Sequence, residues 1–155
     1  APTVNTLSTS DTTPVISGTY DDLEVGGVFT VTVGGVTYTL GFSSELTNVG
    51  NVWTLDLSGL APALTDGTYQ VVASHEDSLG NVSLDATAGE LVIDSTLPAT
   101  PTVAALATSD TTPVITGTFD AAEALVVGAS FTVLVDGVTY TLGGGLPRDA
   151  LLSST

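Results

Sequence analysis

The chain has 155 residues, 43% of them hydrophobic, and sets 17 acidic residues against one Arg, no Lys and one His, a formal net charge of −16. Such a balance argues against nucleic acid or an anionic membrane as partner, because neutralising phosphates needs a basic surface, and it favours divalent cations as counter-charges. The hydrophobic content separates the chain from disordered acidic tails, the absence of Cys excludes a disulfide scaffold, and no apolar run reaches the roughly 18 residues of a membrane span.

Taken in order, the chain reads as strand after strand. "PTVNTL" (2–7) opens it, and "PVISGTY" (14–20) and "VFTVTV" (28–33) alternate large apolar or β-branched residues with small polar ones. That alternation is the period-2 signature of half-buried strands. Gly34-Gly35 separates "FTVTV" from "VTYTL", a pair suited to a two-residue type I′ hairpin turn, where φ must be positive. Further strands are expected at "NVWTLDL" (51–57), "GTYQVVASH" (67–75) and "NVSLDATAGELVID" (81–94). No segment has helix caps with a 3.6-residue period. Seven short strands closely spaced predict an all-β, Ig-like β-sandwich.

The chain then repeats itself. "APTVNTLSTSDTTPVISGTYDD" (1–22) returns as "TPTVAALATSDTTPVITGTFDA" (100–121), and "FTVTVGGVTYTLG" (29–41) as "FTVLVDGVTYTLG" (131–143). The offset grows from 99 to 102 between the blocks, which places a three-residue insertion in the intervening loop. In the second hairpin Asp136-Gly137 replaces Gly34-Gly35, so the turn chemistry is kept while the residue changes. The junction "IDSTLPATPTV" (93–103) holds Pro98 and Pro101, which restrict φ and predict a short, stiff linker. These features divide the chain into a complete module at 1–98, the N-terminal part of a second at 99–143 and an unmatched tail at 144–155, which contains the sole Arg148. Either the array is truncated here, or the exposed strand edges of the partial copy pair with another chain.

Strands that alternate up and down sort the loop acids between two poles. Asp21, Asp22 and Glu24, with Glu76, Asp77 and Asn81, fall at the N-terminal pole; Asp11, Asp66 and Asp94 fall at the C-terminal pole, where Asp120 and Glu123 of a following module would face them. Calcium takes six to eight hard oxygen ligands, which such clusters offer. The competing reading is that these are turn-formers whose carboxylates cap local backbone. His75-Glu76-Asp77 invites an acid–base role, but a single His with no Cys and no nucleophile elbow points to an exposed strand-end residue and to no enzyme. Trp53 is expected in core or edge packing, with sugar stacking as the alternative.

In the set and order of "SDTTPVISGTYDD", "VTVGGVTYTL", "LTDGTYQVVASHEDSLGNVS" and "VIDSTLP", the chain resembles the bacterial Ig-like tandem repeats of giant surface adhesins, of the biofilm-associated and RTX types. The resemblance covers most of 1–99 and the front of 100–143. It implies an extracellular, non-enzymatic extender module on the bacterial cell surface, partnered by adjacent modules of the same chain and rigidified by Ca²⁺ at module junctions. It also implies Asp77, Asn81 and Asp94 as ligands, followed by Asp120 and Glu123, and the sorting of loop acids by pole adds Asp21, Asp22 and Asp66 as candidates. A carbohydrate- or protein-binding Ig-like module is the alternative.

Overall fold

The computed structural model of the chain describes residues 1–21, 25–85, 87–120 and 129–142. The chain divides into two compact units, Ala1–Thr96 and Leu97–Thr155. Among the described residues all regular structure is β.

The first unit contains β1 (Thr3–Val4), β2 (Leu7–Thr9), β3 (Val15–Thr19), β4 (Val28–Val33), β5 (Val36–Thr39), β6 (Leu46–Val49), β7 (Val52–Asp56), β8 (Gly67–Tyr69), β9 (Val72–Glu76), β10 (Val82–Leu84) and β11 (Leu91–Ile93). One sheet runs β1-β3-β7-β6, a second runs β10-β9-β4-β5, and a third runs β2-β11-β8. Alternation places their inward residues in one core: Ile16, Trp53 and Leu55 from the first sheet, Phe29, Val31 and Ala73 from the second, Leu91 and Ile93 from the third. Outward positions on β4 carry Thr30 and Thr32, and Thr32 shares a hydrogen bond of 2.8 Å with Thr37 across the hairpin. The Ig-like sandwich expected from the sequence is the fold of this unit.

Three of the expected strands are each broken in two. The opening strand leaves one sheet for the other: β1 pairs antiparallel with β3, whereas β2 pairs parallel with β11. The expected strand at 67–75 breaks after Tyr69, and the one at 81–94 breaks between Leu84 and Leu91. These two breaks explain each other. Because strand pairing is interrupted between Leu84 and Leu91, the Val71 N–H needs another acceptor. The carboxylate of buried Glu90 supplies it, with Oε2 accepting from Val71 N at 3.1 Å. Gln70 Nε2 donates to Thr87 O at 2.8 Å beside it.

One strand was absent from the sequence reading. β6 lies at the sheet edge, with Leu46 its one buried residue, so no alternation marks it. Its hairpin to β7 turns through Gly50 and Asn51, with Gly50 at φ 56°.

The second unit contains β12 (Thr102–Val103), β13 (Gly117–Thr118), β14 (Thr132–Val135) and β15 (Val138–Thr141). β12 pairs with β13 and β14 with β15, both antiparallel. The hairpin turns of both copies have positive φ at both central residues: 58° and 80° at Gly34 and Gly35, 46° and 78° at Asp136 and Gly137. Type I′ turns require that sign, and Asp tolerates it better than most side chains.

Candidate functional site

At one end of the first unit three strands finish or begin together. The register Thr9↔Ile93↔Gly67 aligns the end of β2, the end of β11 and the start of β8. Asp94 directly follows Ile93, Asp66 directly precedes Gly67, and Asp11 comes two residues after Thr9, so the register brings the three to one end of the unit. Asp66 is the most engaged. Its Oδ1 accepts from Ser95 N at 2.9 Å and from Ser95 Oγ at 2.6 Å, and its Oδ2 accepts from Thr96 Oγ1 at 2.7 Å. Those donors hold its carboxyl below the usual carboxylate range, the Ser95 hydroxyl contributing most, then the Thr96 hydroxyl and the Ser95 N–H. Asp66 thereby ties the first linker residues, Ser95 and Thr96, back onto the module. Asp94 accepts from Thr96 N at 3.1 Å, and Asp11 accepts from Thr13 N at 2.9 Å.

The opposite end is built around Asp77. The pairing Val28↔Glu76↔Val82 brings the start of β4 against the turn between β9 and β10. In that turn Asp77 Oδ1 accepts from Leu79 N at 2.8 Å and Asn81 N at 2.9 Å, while Oδ2 accepts from Asn81 Nδ2 at 2.7 Å. These bonds, led by that from the Asn81 amide, depress the Asp77 carboxyl as well. Asp21 Oδ2 meets the Ala1 amino group at 3.3 Å. At the equivalent position in the second copy, Asp120 Oδ2 accepts from Ala99 N at 3.4 Å. Both acids therefore reach back to the first residues of their own copy. Asp22, Glu24 and Glu123 lie outside the described residues.

The candidate ligands are thus split between two ends of the first unit and one loop of the second. Among the described residues no three His, Asp or Glu side chains stand together as a metal-holding group. Asp11, Asp77 and Asp94 cap backbone and side-chain donors two to four residues away, as Asx turns do, whereas Asp66 reaches 29 residues to Ser95, Asp21 reaches 20 to the Ala1 amino group and Asp120 reaches 21 to Ala99.

His75 departs from expectation. It is half-buried, not an exposed strand-end residue, and its Nε2 is buried without a hydrogen-bond partner. The reason is register: His75 pairs with Phe29, whose side chain points into the core, and it continues the inward series Val71, Ala73. That series was readable in "VVASH". His75 lines a shallow depression of ≈ 190 Å³ with Asp77, Asn81, Val82 and Ser83. Trp53 is 0% exposed and donates its indole N–H to Thr3 O at 3.0 Å, so it belongs to the core and sugar stacking on it is excluded. Tyr20 and Tyr38 are buried too, which removes them from any surface aromatic platform. No protein-family model matches the chain, and no curated protein matches it significantly.

Proposed function

We propose that the chain is a non-enzymatic extender segment of a repetitive bacterial surface adhesin, extracellular, and stiffened when Ca²⁺ binds at the ends of its Ig-like modules. The observation that carries the reading is the repeat expressed as structure. Residues 102–118 and 131–142 rebuild the strand pairings of 3–19 and 29–40, so a unit recurs along the chain, and the short, proline-restricted linker between the copies suits a spacer. The charge supports the cation. With 17 acids and no Lys, carboxylates at module ends repel one another, and a divalent ion offsets that repulsion. Asp66 and Asp94, at the end from which the linker leaves, are the first residues to substitute, followed by Asp77 and Asn81.

Thermal melting with added Ca²⁺, Mg²⁺ or EGTA tests the cation. Binding to the folded state at about a hundred times Kd adds about 2.7 kcal/mol of stability, so Ca²⁺ is expected to raise Tm well above the EGTA value, with Mg²⁺ doing little. Small-angle scattering of the chain in Ca²⁺ and in EGTA tests the stiffening. An unchanged Tm together with an unchanged maximum dimension removes calcium from the proposal.

A further inference from the structure

The chain has two Asp-Gly pairs, Asp66-Gly67 and Asp136-Gly137, and the fold treats them in opposite ways. The side-chain carboxyl of an Asp can be attacked by the main-chain nitrogen of the residue that follows it. The attack is easiest when that residue is Gly, because no Cβ then obstructs a close approach.

Asp66 is held away from this reaction. Its Oδ1 accepts from Ser95 N and Ser95 Oγ, and its Oδ2 accepts from Thr96 Oγ1. Gly67 is fixed in β8 opposite Ile93. The same donors hold the carboxyl below its usual range and so keep it ionised, whereas the form attacked is the neutral acid, which can lose its hydroxyl as water.

Asp136 has none of these restraints. It is exposed at the tip of the β14–β15 hairpin, and among the described residues no donor engages its carboxylate. Pairing closes on Val135↔Val138, so the Gly137 N–H lies in the turn, outside the ladder. A Cβ placed at Gly137 would meet nothing within 4 Å, so the space around its nitrogen is open. Asp136 has φ 46°, a left-handed conformation that costs a residue with a side chain free energy and makes departure from the turn easier. The exposure belongs to the turn itself: Gly34 and Gly35, at the same place in the first copy, are exposed although that copy is a full sandwich.

We propose that Asp136-Gly137 is a modification site at which Asp136 converts spontaneously to isoaspartate, while Asp66 is protected. The Gly137 nitrogen bonds to Asp136 Cγ and gives up its proton, the Cγ–OH bond breaks, and water leaves as a succinimide ring closes. Water then adds to either ring carbonyl. Addition at Cγ restores Asp136; addition at the α-carbonyl leaves the main chain running through Cβ and Cγ, with the former α-carboxyl as the side group. No atom is gained or lost overall, and no oxidant or cofactor enters. The product has an extra carbon in the main chain of a two-residue turn, so the paired positive φ values and the Val135↔Val138 closure are lost. The first copy has Gly34-Gly35 there and no carboxyl to react. The inference stands apart from the calcium reading.

The test is incubation of the full chain for weeks at neutral pH, then digestion and peptide mapping with electron-transfer fragmentation, which distinguishes isoaspartate from aspartate. Methyl transfer from labelled S-adenosylmethionine by an isoaspartyl methyltransferase gives the total. Isoaspartate is expected at 136, accumulating about tenfold or more faster than at 66, where reaction waits for local opening of paired structure. Asp136→Gly, which copies the turn of the first copy, should remove most of the methyl-accepting sites. The peptide VLVDGVTYT, residues 133–141, gives the rate of the pair outside the fold. Absence of isoaspartate at 136 in the chain overturns the proposal, and its presence in the peptide alone would show that the folded turn holds the pair out of reach. Isoaspartate at 66 matching that at 136 overturns it as well.

Discussion

Ile16 and Ile115 stand at equivalent positions in nearly identical sequence, yet one is 1% exposed and the other 43%. Val4 and Val103 differ in the same way, at 9% and 69%. The local structure around them does not differ. Both copies form the same two-stranded pair, the same Thr–Thr bond and the same I′ hairpin. Strand register and turn conformation are therefore set by near neighbours: Gly at the close approach, Gly-Gly or Asp-Gly at the turn, and alternation that fixes which face is apolar. Burial is set by distant sequence. It arrives with β6, β7, β8, β9 and β11, which in the first unit cover the inner faces of the strands the two copies share.

The largest expected difference between the copies is in hydrogen exchange. Amides in β4 and β5 open only with the sandwich, whereas those in β14 and β15 sit in a hairpin that is marginal by itself. With a domain stability of ordinary size, exchange should be slower in β4–β5 by roughly a thousandfold or more. Equal protection at Val31 and Val133 would mean that the second copy has a core of its own, and the comparison would fail.

Trp53 carries the next effect. Trp53→Ala removes a fully buried ring and the bond to Thr3 O, and should cost the first unit about 3–5 kcal/mol in urea unfolding. Its consequence for the comparison is structural. Ile16 and Gly18 would then face a cavity, and exchange in β3 should move toward the fast regime of β13. A loss under about 1 kcal/mol would show that β7 covers its neighbours by backbone pairing more than by the indole.

Glu90 marks a place where sequence and fold part company. The string "DATAGELVID" (85–94) reads as the run of a strand into its linker, and an acid three residues before buried Ile93 gives no warning that it is inside. It is buried because the ladder is interrupted and Val71 N–H lacks a strand partner. Alternation could place Val71, Ala73 and His75 on one face, but the interrupted pairing that makes Glu90 necessary is a property of two strands at once. Glu90→Leu should cost about 1–3 kcal/mol by stranding the Val71 N–H, while Glu90→Gln keeps an acceptor and should cost less. Equal costs for the two variants would assign the effect to packing. β6 was hidden for a different reason: an exposed edge strand with one inward residue has no pattern, and only Gly50-Asn51 between Val49 and Val52 signalled its turn. The loop acids were legible as residues. Their partners were not. That Asp66 would engage Ser95 and Thr96 depends on β8 and β11 being neighbours, which no local pattern states.

The smallest predicted effect lies in acids whose carboxylates accept hydrogen bonds. Asp66, Asp77 and Asp56 have carboxyls held below their ordinary value of 3.8, by Ser95 and Thr96, by Asn81 and Leu79, and by Ser58. A carboxyl that binds its proton less tightly folded than unfolded adds stability that is complete above the unfolded value and is lost as pH falls through the lower folded one. Tm should therefore be flat from pH 7 to about 5 and decline below about 4. Asp56 and Asp66 are exposed and Asp77 is only half-buried, so the decline should be shallow and lessened by salt. Asp66→Asn removes the group that tethers the linker and should flatten part of that decline. If Asp66→Asn leaves the acid limb as steep as before, net charge and not these hydrogen bonds governs it, and the tether at Ser95 and Thr96 contributes nothing to the pH dependence.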